Sequence, residues 1–261
     1  LPAIELLKKE NIFVIDSSRA SSQDIRPLRI VILNLMPLKI TTETDLVRLL
    51  SNTPLQVEVS FMKVKGHTSK NTPVEHMKAF YRDFELMKEE KFDGMIITGA
   101  PVEHLDYEEV NYWDEIKEIL IGTHPCHFHP LHLLGCASRL YHYYGVPKYK
   151  LDRKMFGVFK QYPLAPMLPI FRGFDDEFYM PHSRHTEIRR EDVLRVPGLE
   201  VIAESPQSGV CMVMARGGRE IYVTGHGRVP PPIPWIRNTV ATWRKACRID
   251  MPVNYYCHNV P

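Results

Sequence analysis

The sequence predicts an α/β fold, in which a parallel sheet is covered by helices on both faces. Two nearly continuous apolar runs, residues 28–35 and 92–99, are typical of parallel strands that are buried on both sides. Along the first 120 residues, strand patterns and helix patterns alternate. Because strands that alternate with helices form parallel sheets, these observations together predict the fold class.

Each of the three predicted helices has its own start signal or periodicity. Thr41 or Thr42 is expected to cap the first helix. The segment Thr72–Glu75 has the pattern of a capping box and predicts a helix that runs to about Lys91. The third helix is predicted over Trp113–Leu120. The remaining strands are predicted at Gln56–Val64, Leu199–Glu204, Val210–Ala215 and Glu220–Thr224.

The expected place for a ligand follows from the sheet. Parallel sheets bind ligands beyond the carboxyl ends of their strands, which here are the loop tips after Leu35, Gly99 and Thr224. The sequence has neither an internal repeat nor a composition typical of a linker, so residues 1–261 are predicted to form a single domain.

Composition excludes several classes of protein. Lys plus Arg number 33 and Asp plus Glu 31, and a net charge of +2 argues against a general nucleic-acid binder. The sequence contains no run of 18 apolar residues that predicts a membrane span. It also begins without the pattern of a secretory signal, and its 5 cysteines have no regular spacing. We expect a cytoplasmic protein.

Two segments depart from the α/β pattern. Residues 121–140 contain Cys126, His127, His129 and His132, which are residue types that bind zinc, but their spacing is not typical of tetrahedral zinc sites. The alternatives are a metal site and an irregular surface loop. Residues 227–248 are rich in proline and basic side chains, which favours a solvated face over a nucleic-acid patch.

His226 has two possible roles, structural or catalytic. It follows the strand that ends near Thr224, so it is placed at the carboxyl edge of a sheet, where a general base is useful. A histidine at such an edge is also common as a structural residue.

A series of motifs, in order along nearly the whole chain, carries a resemblance to a known family. The motifs are NLMP (34–37), LLSNTPLQV (49–57), NTPVEH (71–76), FDGMIITGAPVE (92–103), RGFDDEF (172–178), PHSRHTE (181–187), VTGH (223–226) and PVNYY (252–256). They resemble the homoserine O-acyltransferases of methionine biosynthesis. The resemblance implies a flavodoxin-like sheet of the class I glutamine-amidotransferase type, in a domain that continues a few dozen residues beyond Pro261.

The resemblance also implies partners and a mechanism. The substrates are L-homoserine and an acyl-CoA, with no metal, no bound cofactor, no nucleic acid and no membrane, and the enzyme is a cytoplasmic homodimer. A cysteine takes the acyl group from CoA, a histidine acts as base, and a glutamate orients the histidine. His226 matches the histidine. The nucleophile position is occupied by Leu133 and the glutamate position by Arg228.

Other positions match the family's binding residues. Lys154 and Ser183 correspond to residues that contact the substrates, and Arg184 is a possible partner for a carboxylate. The backbone donors of Asn34 and Leu35, at the tip of the first strand, are possible ligands of an oxyanion.

A shifted reading frame accounts for both unusual segments. Permitted codons for residues 132–139, read one base later, encode I-C-W-G-A-Q-A-G, which is the expected nucleophile elbow. Codons for residues 235–248, read one base earlier, can encode L-D-T-Q-Y-R-R-D-L-A-K-G-L-P, which is typical of the helix expected there. As written, the chain is therefore expected to be inactive, because Cys136 lacks the elbow geometry.

The acyl donor is predicted from one position. Glu103 is the second residue after the TGAP motif, where a glycine accompanies succinyl-CoA in the family, and a glutamate there would repel the free carboxylate of succinyl-CoA. We therefore expect acetyl-CoA as the donor. The alternatives are a succinyl-CoA-dependent enzyme, a catalytically inactive relative that binds substrate, and a metal-binding protein that uses Cys126 and its neighbouring histidines.

Overall fold

A computed structural model describes residues 2–12, 14, 26–65, 71–100, 109–122 and 137–226. The chain divides into two compact units, residues 1–132 and 133–261. The mixed α/β class predicted from the sequence is confirmed. The single domain stays a prediction. None of the helices in the described part of the chain is long and apolar enough to cross a membrane.

The first unit contains a parallel sheet. Its described elements are α1 (Pro2–Lys9), β1 (Leu28–Leu33), α2 (Lys39–Leu50), β2 (Val57–Lys63), α3 (Val74–Phe80), β3 (Tyr81–Asp83), β4 (Gly94–Ile97) and α4 (Trp113–Gly122). In the described ranges the strand order is β3-β2-β1-β4, and every pair is parallel. The apolar runs predicted as buried strands are β1 and β4, and the helix predicted at residue 113 is α4.

The strand order defines where this sheet can bind a ligand. The chain goes from β1 to β2 on one side and returns to β4 on the other side. In parallel α/β sheets, the crevice outside the carboxyl ends of two such strands is the usual ligand site. Here that crevice lies beside residues 34–38, which follow β1, and residues 98–100, which follow β4.

The predicted boundaries of two helices are wrong. Helix α2 begins at Lys39, and the backbone N–H of Thr42 already donates to the carbonyl of Leu38, so neither predicted threonine is the cap. In α3, Pro73 occupies the cap position without a side-chain cap bond. This helix ends at Phe80 and not near Lys91, because Tyr81 is extended and pairs with Phe61 of β2.

The second unit contains an antiparallel sheet. Its described elements are α5 (Ala137–Tyr144), β5 (Tyr149–Pro163), β6 (Phe178–Glu187), α6 (Arg190–Leu194), β7 (Leu199–Ser205), β8 (Gly209–Ala215) and β9 (Glu220–Val223). The strand order is β6-β5-β7-β8-β9, with antiparallel pairs throughout the described strands. The sequence predicted β7, β8 and β9, but it missed β5 and β6.

A buried carboxylate joins a helix to the last strand of this unit. Glu220 of β9 is fully buried and accepts hydrogen bonds from Arg139, Tyr144 and Tyr222 at 2.9, 2.9 and 2.6 Å. Arg139 itself is only 3% exposed. Charges in a protein interior are tolerated when they are paired and hydrogen-bonded, so this cluster attaches α5 to the sheet.

Replacing Glu220 with alanine tests that attachment. We expect the free energy of unfolding to fall by about 3–5 kcal/mol, because the charge of Arg139 would stay buried without its carboxylate. The control is Glu204→Ala, which breaks an exposed ion pair with Arg190 at 2.5 Å and is expected to cost less than about 1 kcal/mol. Urea unfolding measures both, and equal losses would contradict the interpretation.

Candidate active site

His226 stands directly after β9, as the sequence predicts. Its backbone N–H donates to the carbonyl of Pro181 in β6 at 2.8 Å, and its side chain is half-buried. The ring atom Nε2 lies 3.3 Å from the carbonyl oxygen of Ser183. The residue is therefore held against β6 by both its backbone and its ring.

A glycine makes this close approach possible. A Cβ atom on Gly225 would lie 2.2 Å from Cγ of Met180 and 3.2 Å from the carbonyl oxygen of Pro181. Real Cβ atoms essentially never lie within 3.0 Å of another heavy atom, so a larger residue at 225 requires either the Met180 side chain or the segment with His226 to move.

Ser183 and Lys154 lie on neighbouring strands. Ser183 of β6 pairs with Phe156 of β5, and paired residues of antiparallel strands project from the same face. The ammonium of Lys154 lies 5.3 Å from the centre of the Phe156 ring. The structure thus places His226 against the backbone of Ser183, and Lys154 beside Phe156, which is the strand partner of Ser183. Lys154, Ser183 and His226 are all half-buried, so they are open to a ligand on one side.

A buried polar layer supports β6 beside this site. His182 is completely buried, and burial, Arg184 and His226 lower its pKa to about 3. It is therefore neutral at physiological pH. Gln161 lies 3.3 Å from the His182 ring and donates to the hydroxyl of Ser208 at 2.8 Å.

Arg184 is part of the same layer. Its guanidinium donates to the carbonyl of Ser208 and lies 3.4 Å from the sulfur of Met155, and its side chain is 7% exposed. These contacts place it within the sheet, which argues against the suggested role as a grip for a substrate carboxylate.

The suggested oxyanion donors at the tip of β1 are also engaged. The backbone N–H of Asn34 donates to the carbonyl of Met62 at 3.3 Å, and that of Leu35 donates to the hydroxyl of Thr98 at 2.8 Å. Neither group is open to an oxyanion in this conformation.

The remaining predicted positions lie outside the described residues. They are the nucleophile position Leu133, the glutamate position Arg228 and the residue expected to select the acyl donor, Glu103. The cysteines and histidines Cys126, His127, His129, His132 and Cys136 also lie outside the described residues. Within the described ranges, no group of three His, Cys, Asp or Glu side chains is arranged to hold a metal ion.

Comparison with known proteins identifies the family. The family model described as homoserine O-succinyltransferase matches residues 1–260. The chain belongs to this family. The prediction made from the motifs is therefore confirmed.

The names of relatives in this family specify an acetyl group, whereas the name of the family model specifies a succinyl group. A homoserine O-acetyltransferase of Bacteroides fragilis is 65% identical over 264 residues, covering 100% of this chain and 86% of that protein. Another, of Phocaeicola vulgatus, is 64% identical over 265 residues with the same coverage. A homoserine O-acetyltransferase of Acetivibrio thermocellus is 49% identical over 262 residues, also with 100% and 86% covered.

Solved structures of distant proteins share the fold. A glutamine amidotransferase from Thermotoga maritima matches with a TM-score of 0.59 at 12% identity, covering 87% of each chain. A putative GMP synthase subunit from Thermoplasma acidophilum matches with a TM-score of 0.53 at 14% identity, covering 78% of this chain and 86% of the other. These structures confirm the amidotransferase-like fold.

The sequence analysis missed two contributors to the site, Gly225 and His182. The glycine had a visible signal, because it directly precedes the selected histidine and follows a buried strand. His182 had none, because its neutral, buried state depends on its packing against Phe159 and Gln161 of β5.

Replacing Gly225 with alanine tests the close approach. The added methyl group is expected to cost about 1–3 kcal/mol of unfolding free energy through overpacking. It should also shift the NMR signals of the His226 ring, because movement of Met180 or of residues 225–226 changes how His226 packs against β6.

Gly209→Ala is the matched control. Gly209 has a backbone conformation that side chains rarely adopt, with φ 65°, but open space around its Cβ position, so it separates backbone strain from the crowding at Gly225. Alanine there is expected to cost about 1 kcal/mol of backbone strain and to leave the His226 signals in place. Unchanged His226 signals in the Gly225 variant would contradict the proposed packing.

Proposed function

We propose that this protein is an acyltransferase that moves an acetyl group from acetyl-CoA to the hydroxyl of L-homoserine, a step of methionine biosynthesis. The observation that carries the proposal is the family match over residues 1–260. The named relatives, which align with all of this chain, support acetyl as the group transferred.

The proposed chemistry passes through a covalent intermediate. A thiolate at position 133 attacks the thioester carbon of acetyl-CoA, the bond to sulfur breaks, and the CoA thiolate leaves with a proton from the His226 imidazolium. His226 then takes the proton of the homoserine hydroxyl, whose oxygen attacks the acyl-enzyme. Collapse of that tetrahedral species releases O-acetylhomoserine and returns the cysteine to its starting state.

The neighbours of His226 are suited to holding the amino-acid substrate. Ser183 supplies a half-buried hydroxyl next to the carbonyl that contacts His226. Lys154 supplies a positive charge on the same face of the β5–β6 pair, which suits a carboxylate or a phosphate. We assign substrate contacts to both residues, as the family resemblance implies.

The present sequence lacks two of the residues that this mechanism requires. Leu133 has no nucleophilic atom, and Arg228 cannot orient His226 as a carboxylate does. The second candidate function is therefore a relative that binds its substrates without turning them over. The frame-restored chain, with a cysteine at 133, is the form to which we assign catalysis.

Cofactor, assembly and location complete the proposal. The reaction consumes acetyl-CoA as a substrate and needs no metal or bound cofactor, because thiol and imidazole supply the nucleophile and the base. We further propose a cytoplasmic homodimer, which rests on the family resemblance.

Mass spectrometry of the printed chain tests the role of position 133. After incubation with acetyl-CoA we expect no covalent adduct, because Leu133 cannot attack a thioester. In the frame-restored chain, an acetyl adduct is expected on the cysteine at that position. An adduct on Cys136 of the printed chain would contradict the assignment of the nucleophile.

Comparison of two donors tests the role of Glu103. The frame-restored enzyme is expected to prefer acetyl-CoA over succinyl-CoA at least tenfold in kcat/KM. Repulsion between two carboxylates at about 4 Å is on the order of 4 kcal/mol before screening, and about 1.4 kcal/mol suffices for tenfold. Glu103→Gly should shift the preference towards succinyl-CoA. Equal kcat/KM for both donors in the unmutated enzyme, or an unchanged ratio in the variant, would contradict the proposal.

A further inference from the structure

A chain of buried polar side chains lies behind the tip of β1 in the first unit. The carboxylate of Glu43 in α2 is 3.0 Å from Nε2 of His76 in α3. The hydroxyl of Tyr81 in β3 donates to the same carboxylate at 2.6 Å. Each of these side chains is less than 10% exposed. Burying these three polar side chains in one place costs solvation, so the arrangement calls for an explanation beyond packing.

The chain of contacts ends on the loop of residues 34–38. Nδ2 of Asn34 donates to the hydroxyl of Tyr81 at 2.8 Å, while Oδ1 of Asn34 accepts from the backbone N–H of Met36 at 3.1 Å. The ammonium of Lys39 donates to the carbonyl of Asn34 at 2.5 Å. Side chains of three elements therefore determine the backbone path of this loop.

Charge supports the same arrangement. Burial lowers the pKa of Lys39 to about 8, and the nearby Glu43 carboxylate acts against that shift. The Lys39 ammonium also lies 5.5 Å from the centre of the Tyr81 ring, at a cation–π distance. Burial and Glu43 both raise the pKa of Tyr81, so its hydroxyl stays protonated and can donate to the carboxylate.

The position of the loop gives these contacts a functional meaning. Residues 34–38 follow β1 at the crevice between the carboxyl ends of β1 and β4. The backbone of Leu35 is tied to Thr98 of the neighbouring strand tip. This is the edge at which parallel α/β sheets bind their ligands.

We propose that Glu43, His76 and Tyr81 are positioning residues that hold loop 34–38 in the conformation that binds the acyl-CoA substrate. The proposal rests on the proposed function for the identity of that ligand. The three residues act through Asn34 and the loop backbone.

The test removes the hydroxyl group in the middle of this chain of contacts. Tyr81→Phe keeps the ring but removes the hydroxyl that joins Glu43 to Asn34. We expect the amide hydrogen exchange of Met36 to accelerate about tenfold, since a hydrogen bond to a charged network contributes roughly that factor or more. The affinity for acetyl-CoA, measured by titration calorimetry, should fall by a similar factor. Glu43→Gln is the second variant, and the same two changes are expected in it.

Two controls separate positioning from general loss of stability. Tyr222→Phe removes a hydroxyl that donates to a buried glutamate at the same 2.6 Å distance, but in the other unit. It should lower stability without accelerating exchange at Met36. Asp93→Asn alters a carboxylate that bonds the backbone N–H of Arg29 at the opposite end of β1. It should leave acetyl-CoA affinity unchanged.

The possible results separate this proposal from the proposed function. Unchanged exchange at Met36 in both network variants would overturn the positioning role, whatever the protein binds. Faster exchange with unchanged acetyl-CoA affinity would also overturn it, because the loop would then be irrelevant to the ligand. If the unmutated protein binds no acetyl-CoA, the proposed ligand is wrong, and the exchange of Met36 still decides whether the network holds the loop.

Discussion

Parallel pairing of β1 with strands on both of its sides is the constraint on which the first unit depends. A parallel pair requires the chain to cross from one end of the sheet to the other between strands. Each strand therefore ends at the same edge, and loops 34–38 and 98–100 meet there. The apolar side chains of β4 and of the second half of β1 are buried, so the polar groups needed for a ligand are left to the strand tips.

Buried carboxylates recur in both units in the same chemical setting. Glu43 and Glu220 are each less than 2% exposed, and each accepts a hydrogen bond from a tyrosine hydroxyl at 2.6 Å. One joins helices to the tip of β1, and the other joins α5 to β9. Tyrosine suits this role because its ring packs in the core while its hydroxyl satisfies the carboxylate. Arg139, which also pairs with Glu220, lies in the unusual segment 121–140, and glycine replaces it in the restored frame.

Elements could be predicted from the sequence where a local residue pattern indicates them, and not where contacts with distant residues decide them. Strands β1 and β4 were predictable, because burial on both faces produces a continuous apolar run. Strand β5 was missed, because no residue of its first half is fully buried and that half carries charged residues such as Arg153 and Lys154. The end of α3 was misplaced, because pairing of Tyr81 with Phe61 overrides a local sequence that favours helix.

The site shows the same division between local and tertiary information. The motifs selected His226, Ser183 and Lys154, and in the structure His226 contacts the Ser183 carbonyl while Lys154 contacts Phe156, the strand partner of Ser183. The motifs also favoured Arg184 and the amides of Asn34 and Leu35, whose hydrogen-bonding capacity is used within the fold. Which donor remains available depends on neighbours that are distant in sequence, such as Ser208 and Thr98. No local pattern reports those neighbours.

The central claim concerns the natural form of this member of the homoserine O-succinyltransferase family. We propose that it has a cysteine nucleophile at position 133, and that a shifted reading frame puts Leu133 there in the present sequence. Peptide mapping by mass spectrometry, on protein isolated from its natural source, tests this most directly. The account predicts a peptide that contains I-C-W-G-A-Q-A-G, with a cysteine at position 133. A peptide that reads H-L-L-G-C-A-S-R over residues 132–139 would contradict it.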